Sequence, residues 1–590
     1  MQERNLRIDV LKGIAIFAVV LYHFGGGYLT FGYLGVDIFF VISGYFMMKS
    51  MVKSMKNNRF SYRAYLMNRI VRLWPMVLIM GAISLVIGMF TMLPDDLENL
   101  SESIIASNIF ANNVLSCITT RNYWDIANTF KPLMHTWYVG VLMQAFIVFP
   151  LIYLGIFRLT KGSLNAVKVT TVVITLVSLI VYLLPYATSA EKFYYLPYRA
   201  FEMAMGSLIA FIPWRRNVSK RMQYAMECLC WGIIVILLCV NQEFISASAK
   251  LLLVVCATTG LVYLLVNTEV KTLKSTKIIS CMGKASFSIY LCHQIVVAYM
   301  YYAVTDRTDI CTLMLFLVAV AVISGLVYFG VEKPLEAVAK KKTLYVLIPS
   351  AALFLVTSVV SGMIYLNAGV IRDVPELGIE KSNVHRGMHA EYCDIPYAWD
   401  RDFSSTDKVK VAVIGDSFGR DWANILNESD IADQIEISYI YPYSQKYLES
   451  VSDRWKEADI VFRSISTSTS SVSDSIPDGI PSEKLYIVGY KNFGSSNGII
   501  YNHRGSKYYF DQTITLNHQV LTENQMLRDQ YGDHFIDMIG SVQQADGSVR
   551  VFTDDQHFIS QDCRHLTQYG AQYYARIMDL SWIIGMKNEN

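Results

Sequence analysis

Little in this sequence points to a partner of one charge. Lys and Arg number 51 against 49 Asp and Glu, a net charge of +2, so a nucleic-acid partner has no electrostatic footing and none is expected. Internal repeats and low-complexity tracts are also lacking, which excludes solenoid and fibrous architectures. Only the Ser/Thr cluster from Ser464 to Ser475 reads as a mobile loop. No small-residue cleavage site follows the first hydrophobic run, Ile8 to Phe24, so that run reads as an anchor and not as a removable signal. Cysteine is scarce outside the apolar stretches. Of ten, most sit in hydrophobic runs as small buried residues, while Cys393 and Cys563 fall in the polar C-terminal region, where one disulfide could form.

What the chain has in abundance is apolar length. Its 590 residues are too many for one core, and long hydrophobic runs succeed one another up to about residue 366 before polar and apolar residues begin to mix. About eleven spans are expected, centred near residues 17, 41, 84, 146, 177, 206, 232, 258, 293, 321 and 355, the sixth short and amphipathic. Loop charge orients them, because cytoplasmic loops collect Lys and Arg. The loop after the second span holds Lys49, Lys53, Lys56, Arg59, Arg63, Arg69 and Arg72. Every second loop after it is basic too, with Arg158, Lys161 and Lys168, then Arg215, Arg216, Lys220 and Arg221, then Lys271, Lys274 and Lys277, then Lys340 to Lys342. The alternate loops hold scattered cations such as Arg121, Lys131 and Arg307. The amino terminus is therefore expected inside and, for an odd count, the C-terminal domain outside.

The expected organisation is a membrane domain over residues 1–343, an extra span over 344–366, a polar linker over 367–408 and an exported domain over 409–590. The fold class is an all-α polytopic bundle followed by a three-layer α/β domain with a mainly parallel sheet. In the latter, VKVAVIGDS reads as a buried strand entering a turn and RDWANIL as the helix after it. IVFRSI, KLYIVGY and HFIDMIG are further strands, and GAQYYARIMDLSWII closes the chain as a helix. Strands alternating with helices imply a parallel sheet covered on both faces.

Several ionisable groups stand where they are costly. RIDVLKGIAIFAVVLYHF places Asp9, Lys12 and His23 in one apolar helix, with Lys12 and His23 eleven residues apart on one face and about 16 Å apart in depth. A histidine that deep is either functional or satisfied by a neighbouring helix. In NRIVRLWP, Arg69 and Arg72 share a face at the cytoplasmic surface and suit a pyrophosphate, though ordinary topogenic anchoring explains them equally well. His135 in PLMHTWYVG, Arg199 and Glu202 in YRAFEMAMG, His293 in SIYLCHQ and Glu332 in VEKPLE complete the set.

The ordered series RxDxLKG, H, GVDIFFVISG, RIVRLxP, HTW and SxYLxH resembles the membrane acyltransferase type 3 family over roughly residues 5–340. That resemblance implies an acyl-CoA donor, acetyl-CoA by family habit, on the cytoplasmic side. It also implies a catalytic His at His23 and a supporting cation at Lys12, where Arg is usual, with no bound cofactor or metal. Asp9, Arg69, Arg72, His135, Arg199 and His293 fall to donor binding or support. One departure stands out: where the family has HxWSLxxExQ, this chain runs from His135 to Gln144 with Leu142 at the glutamate position, which leaves open an altered donor or a compensating acid elsewhere, Glu202 being the candidate.

In the exported part, Ser417 of VIGDSFG stands in a strand-to-helix turn whose N–H groups suit an oxyanion. Asp562 and His565, in DCRHLT, supply a base and its orienting acid three residues apart. A second DxxH occurs at Asp554 and His557, but HLTxxGA follows the later one. GDS with DxxHLTxxGA resembles the SGNH hydrolase family over about residues 405–585, which implies a nucleophile at Ser417 and partners at Asp562 and His565. Asn492 is the oxyanion candidate, or else a turn residue.

The two resemblances occur fused in this order in bacterial enzymes that O-acetylate cell-surface polysaccharides. They imply a multi-pass protein of the bacterial cytoplasmic membrane that carries an acyl group to O-antigen, capsule, exopolysaccharide or peptidoglycan. An acyl or glycan translocator without its own chemistry, and an extracytoplasmic esterase, are the alternatives. The sequence is silent on oligomeric state.

Overall fold

A computed structural model describes residues 5–119, 128–213, 219–240, 245–267, 276–405, 407–465, 477 and 479–587. Arg121, Arg215, Arg216, Lys271, Lys274 and most of the Ser464–Ser475 cluster lie outside the described residues. The chain forms two compact units, one of residues 1–90 and 99–365 and the other of residues 91–98 and 366–590.

The first unit is helical. A helix stands at each of the eleven expected centres, and among the described residues eight are long and apolar enough to cross a membrane. The three that fall short are Leu6–Phe24, which carries Arg7, Asp9 and Lys12, the 13-residue Leu196–Leu208, and Ser286–Ala303, rich in Tyr, Ser and His. Asn5 starts the first helix by accepting from the amides of Arg7 and Ile8. Small residues then let backbones touch. A Cβ on Gly283 would lie 1.7 Å from the Asp9 carbonyl oxygen and one on Gly13 2.1 Å from that of Ile279, so the first helix and Lys277–Lys284 meet through reciprocal glycines. Gly44 and Gly206 do the same, 1.9 Å from Met203 O and 2.0 Å from Val41 O, and bring Gly35–Lys56 onto Leu196–Leu208.

Among the described residues the second unit contains seven strands: β1 (Val409–Ile414), β2 (Ile435–Ile440), β3 (Ile460–Ser464), β4 (Leu485–Val488), β5 (Thr513–Thr515), β6 (Phe535–Ile536) and β7 (Ser548–Arg550). Five make a parallel sheet in the order β2-β1-β3-β4-β6, while β5 and β7 form a separate antiparallel pair. β2 is absent from the strands expected above. Period-two alternation sends Val409, Val411 and Val413 into a core with Trp422 and Tyr574, and Ala412 and Ile414 into a second core with Leu448 and Trp455. Helices thus cover both faces.

Within the stretch read as a polar linker, residues 367–408, Val370, Val374 and Ile379 are buried in a cluster with Leu93, Tyr501 and Phe552. The expected closing helix needs correction. The closing helix stops at Ile577, where Met578 turns to extended backbone and Asp579 caps a short turn from Ser581 to Met586.

Candidate functional site

In the helical unit, a cavity of about 680 Å³ is lined by Asp9, Lys12, Arg69 and Arg72 together with Lys49, a cation counted in the sequence only as a loop charge. Aromatic rings hold these cations in place: Lys12 lies over Phe46 at 5.3 Å, Lys49 over Tyr45 at 5.2 Å and Arg69 over Phe146 at 4.7 Å. Arg72 faces Glu336 at 3.7 Å, and both are substantially exposed. Leu142 also lines the cavity, so the position where the resemblance expects an acid presents an apolar side chain to the space.

Tyr290 joins this cavity to a group of imidazoles. It lines the cavity, donates to the His135 carbonyl at 2.6 Å, and its ring lies 5.2 Å from that of His135 and 5.5 Å from that of His293. His23 and His293 meet edge to face at 4.9 Å, and His135 and His293 at 5.4 Å. Helical backbone orients two of the rings, since Nδ1 of His23 bonds Val19 O (2.9 Å) and Nδ1 of His293 bonds Tyr290 O (2.6 Å). Nε2 of His293 is buried without a partner among the described residues, and the nitrogens of His135 meet no hydrogen bond of normal geometry. Buried polar atoms left so are uncommon, and each calls for an explanation.

Arg199 and Glu202 are elsewhere. Arg199 donates to Asp37 (2.7 Å), Glu202 (3.0 Å) and Phe193 O (3.0 Å), all three charged side chains being buried, and neither Arg199 nor Glu202 lines the cavity. The structure therefore does not bring Glu202 in as a substitute for the acid absent at Leu142. Glu332 is also occupied, as a close acceptor from Ser288.

In the second unit, β1 ends at Ile414 and the chain turns through Gly415 into the helix Ser417–Asn427. Gly415 keeps this turn close to its neighbours, because a Cβ there would lie 2.0 Å from Ser464 Oγ and 3.0 Å from Gly419 Cα. Asp416 caps the helix by accepting from the Phe418 amide at 3.0 Å, leaving Ser417 at the first helical position. Ser417 Oγ lies 2.8 Å from His565 Nε2, and His565 Nδ1 lies 2.7 Å from Asp562 Oδ2. Chemistry assigns the protons, with serine donating to Nε2 and Nδ1 donating to the carboxylate. The other oxygen of Asp562 accepts from the amides of Arg564 (3.0 Å) and His565 (2.8 Å), so the local turn fixes acid and imidazole together. His557, the alternative spelling, stacks on Tyr569 at 3.6 Å and is not the histidine bonded to Ser417.

The electrostatics follow from this geometry. Burial works against the charge on Asp562, but the hydrogen bond from His565, its positive charge and the two amides hold the carboxyl down at about 2. Burial pulls the His565 imidazole down, yet the hydrogen bond and charge of Asp562 outweigh it and leave the ring above its ordinary value. An Asp562→Asn variant should therefore lose roughly 10²–10⁴-fold in any reaction that uses His565 as base, with its acid limb moved to lower pH. The sign is fixed because the neutral imidazole exists above its pKa and the variant lowers that pKa. A rate–pH profile with a nitrophenyl ester checks it.

Two neighbours of this group escaped the sequence reading. Lys491 and Asp421, each with a 2% exposed side chain, pair at 2.7 Å. The same Asp421 oxygen accepts from the Leu566 amide at 3.1 Å, and Lys491 lies 3.9 Å over the Phe418 ring, so the pair ties the helix that begins at Ser417 to the loop of His565. Asn492 is held in a turn, its oxygen accepting from the Gly494 amide at 2.9 Å. Cys393 and Cys563 are free and buried, their thiols directed to Leu566 O and Asn497 Oδ1, so no disulfide joins them.

Comparison with known proteins adds to these observations. OatA, a peptidoglycan O-acetyltransferase of Listeria monocytogenes, is 25% identical over 300 residues, 48% of this chain and 48% of its own length. A Bacillus subtilis protein provisionally named peptidoglycan O-acetyltransferase YrhL is 24% identical over 357 residues, 56% of this chain and 54% of that one. The chain thus spans about half the length of the curated relatives it matches. No solved structure matches. A family model described as an acyltransferase domain matches residues 5–330, more than half of the 590, and the chain belongs to that acyltransferase family.

Proposed function

We propose that this protein is a membrane O-acetyltransferase that takes an acetyl group from cytoplasmic acetyl-CoA and places it on a cell-surface glycan, peptidoglycan being the first to test. The reading has the amino terminus inside and the second unit, an SGNH-like domain, outside the cytoplasmic membrane, which the alternating basic loops support. Lys12, Lys49, Arg69 and Arg72 would hold the phosphates of the donor, and His23 would act at the thioester carbonyl. Outside, Ser417 Oγ would attack the delivered acyl carbon as His565 takes its proton and hands it to the departing carrier group, leaving an acyl-serine and a neutral imidazole. A glycan hydroxyl would then attack that ester, giving its proton to His565, which returns it to the departing Ser417 oxygen. Amides at the head of Ser417–Asn427 and the Asn492 amide group would receive the oxyanion.

One observation carries this reading above the others: a hydrogen-bonded Ser417–His565–Asp562 triad stands in the same chain as a cation-lined cavity next to clustered histidines. A translocator needs no triad and an esterase needs no such cavity. The test is the O-acetyl content of the cell-wall glycan by NMR in cells with and without the protein. Loss of O-acetyl signal on deletion and its return on complementation are expected, and unchanged ester content in peptidoglycan and in the other surface polysaccharides would refute the proposal.

A further inference from the structure

Beside the nucleophile runs a ladder of tyrosines that the triad does not use. β1 and β2 are parallel with Ile414 opposite Ile440, and the Gly415 amide donates to Ile440 O at 3.1 Å, so the chain leaving β2 lies alongside the turn that presents Ser417. That chain reads Tyr439, Ile440, Tyr441, Pro442, Tyr443. Tyr439 is buried and props the nucleophile turn, its hydroxyl donating to Gly415 O (2.8 Å) and Asp416 O (3.0 Å). Outward from it the rings follow one another: Tyr397 lies 5.9 Å from Tyr439 and 6.2 Å from Tyr441, Tyr441 lies 4.6 Å from Tyr443, and Tyr443 lies 5.2 Å from Tyr447.

The ladder is rigid at both ends and open in the middle. Tyr447 donates to the Asp400 carboxylate at 3.1 Å, and Arg454 fixes that carboxylate. Tyr397 is backed by the Arg420 guanidinium at 5.0 Å, itself paired with Asp394. Yet Tyr443 is 62% exposed and Tyr397 39%. These are costly apolar surfaces to leave in water without a use. The two arginines behind the ladder are engaged with carboxylates, so it offers phenol faces and hydroxyls and not a cluster of free cations. In parallel α/β sheets, substrates bind beyond the carboxyl ends of the strands, which is where these rings stand. Pre-held aromatic faces with polar tips suit a ring that is apolar on its faces and hydroxylated at its rim.

We infer that Tyr397, Tyr441 and Tyr443 form the acceptor subsite of the second unit and stack the pyranose rings of an uncharged glycan strand, bringing one of its hydroxyls to Ser417. The inference rests on the transferase reading, but its test does not require acyl transfer. The full chain carrying Ser417→Ala, in detergent micelles, is titrated calorimetrically with a β-1,4-linked hexamer of N-acetylglucosamine. Binding is expected, weakened at least about tenfold when Tyr397→Ala and Tyr443→Ala are added, and kept within about threefold by Tyr443→Trp, which restores an aromatic face. Equal binding with and without the two tyrosines overturns the inference, as does a parent protein that does not bind the hexamer. Poly(glycerol phosphate) is titrated in parallel. If it binds the parent and loses affinity with the same tyrosines, the ladder recognises a polyanion and the glycan assignment fails. Failure of the transferase reading shows up separately, as unaltered glycan ester content in cells lacking the protein.

Discussion

On the proposed function, replacing His23 by Ala is expected to abolish O-acetylation of the cell-surface glycan while the protein accumulates normally in the membrane. His23 sits on the helix that also carries Lys12 into the cation-lined cavity, and its ring touches that of His293, which in turn meets His135 and Tyr290. Its Nδ1 is directed to Val19 O at 2.9 Å, which fixes the ring against its own helix. Loss of such a positioned acid–base group costs roughly 10²–10⁴-fold, enough to take the NMR ester signal below detection. His23→Gln keeps polarity and approximate volume but cannot exchange a proton at neutral pH, so it should be as inactive as the alanine variant. If His23→Gln retained wild-type ester content, the histidine would be a packing residue of the bundle and the donor chemistry would lie elsewhere.

The ionisable groups of the helical unit were partly legible because membrane segments are read against a strict background. Among long apolar runs, His23, Lys12 and His293 stand out as charges or polar groups with no reason to be buried. Lys49 was not, since a lysine at the end of a span looks like a topological anchor whether or not it also lines a cavity. The Arg199–Asp37–Glu202 group joins residues 162 apart in sequence, and only the reciprocal Gly44–Gly206 approach puts them together. In the second unit the triad was readable because turn chemistry is local: the Asx turn at Asp562 and the cap at Asp416 are each encoded within three residues. β2 mixes Glu436 and Ser438 among its apolar residues, whereas β1 is apolar without a break from Val411 to Ile414. Nothing local announces that Lys491 will pair with Asp421, because a buried ion pair between a loop and a helix is defined only once the sheet has ordered both.

Substituting Ser417 by Ala should prove as damaging as the loss of His23, but at a different step. In the proposed relay the membrane half can deliver the acyl group yet cannot pass it to the glycan, because the hydroxyl that holds the ester is gone. Removing the nucleophile of such a triad costs about 10³-fold or more even when the rest of the site persists. Cells carrying Ser417→Ala should thus lose glycan ester content as cells carrying His23→Ala do. The two variants are told apart with an activated ester supplied from outside the cell: purified His23→Ala protein should still form an acyl-serine detectable by mass spectrometry, and Ser417→Ala should not. Ser417→Cys is the informative intermediate. Its thiolate would accept the acyl group from the activated ester, and the thioester so formed should build up when no glycan hydroxyl is present to take it. Normal glycan acylation in Ser417→Ala cells would mean that the acyl group reaches the sugar without an ester on the outer unit, and the triad would then have to be assigned to a separate reaction.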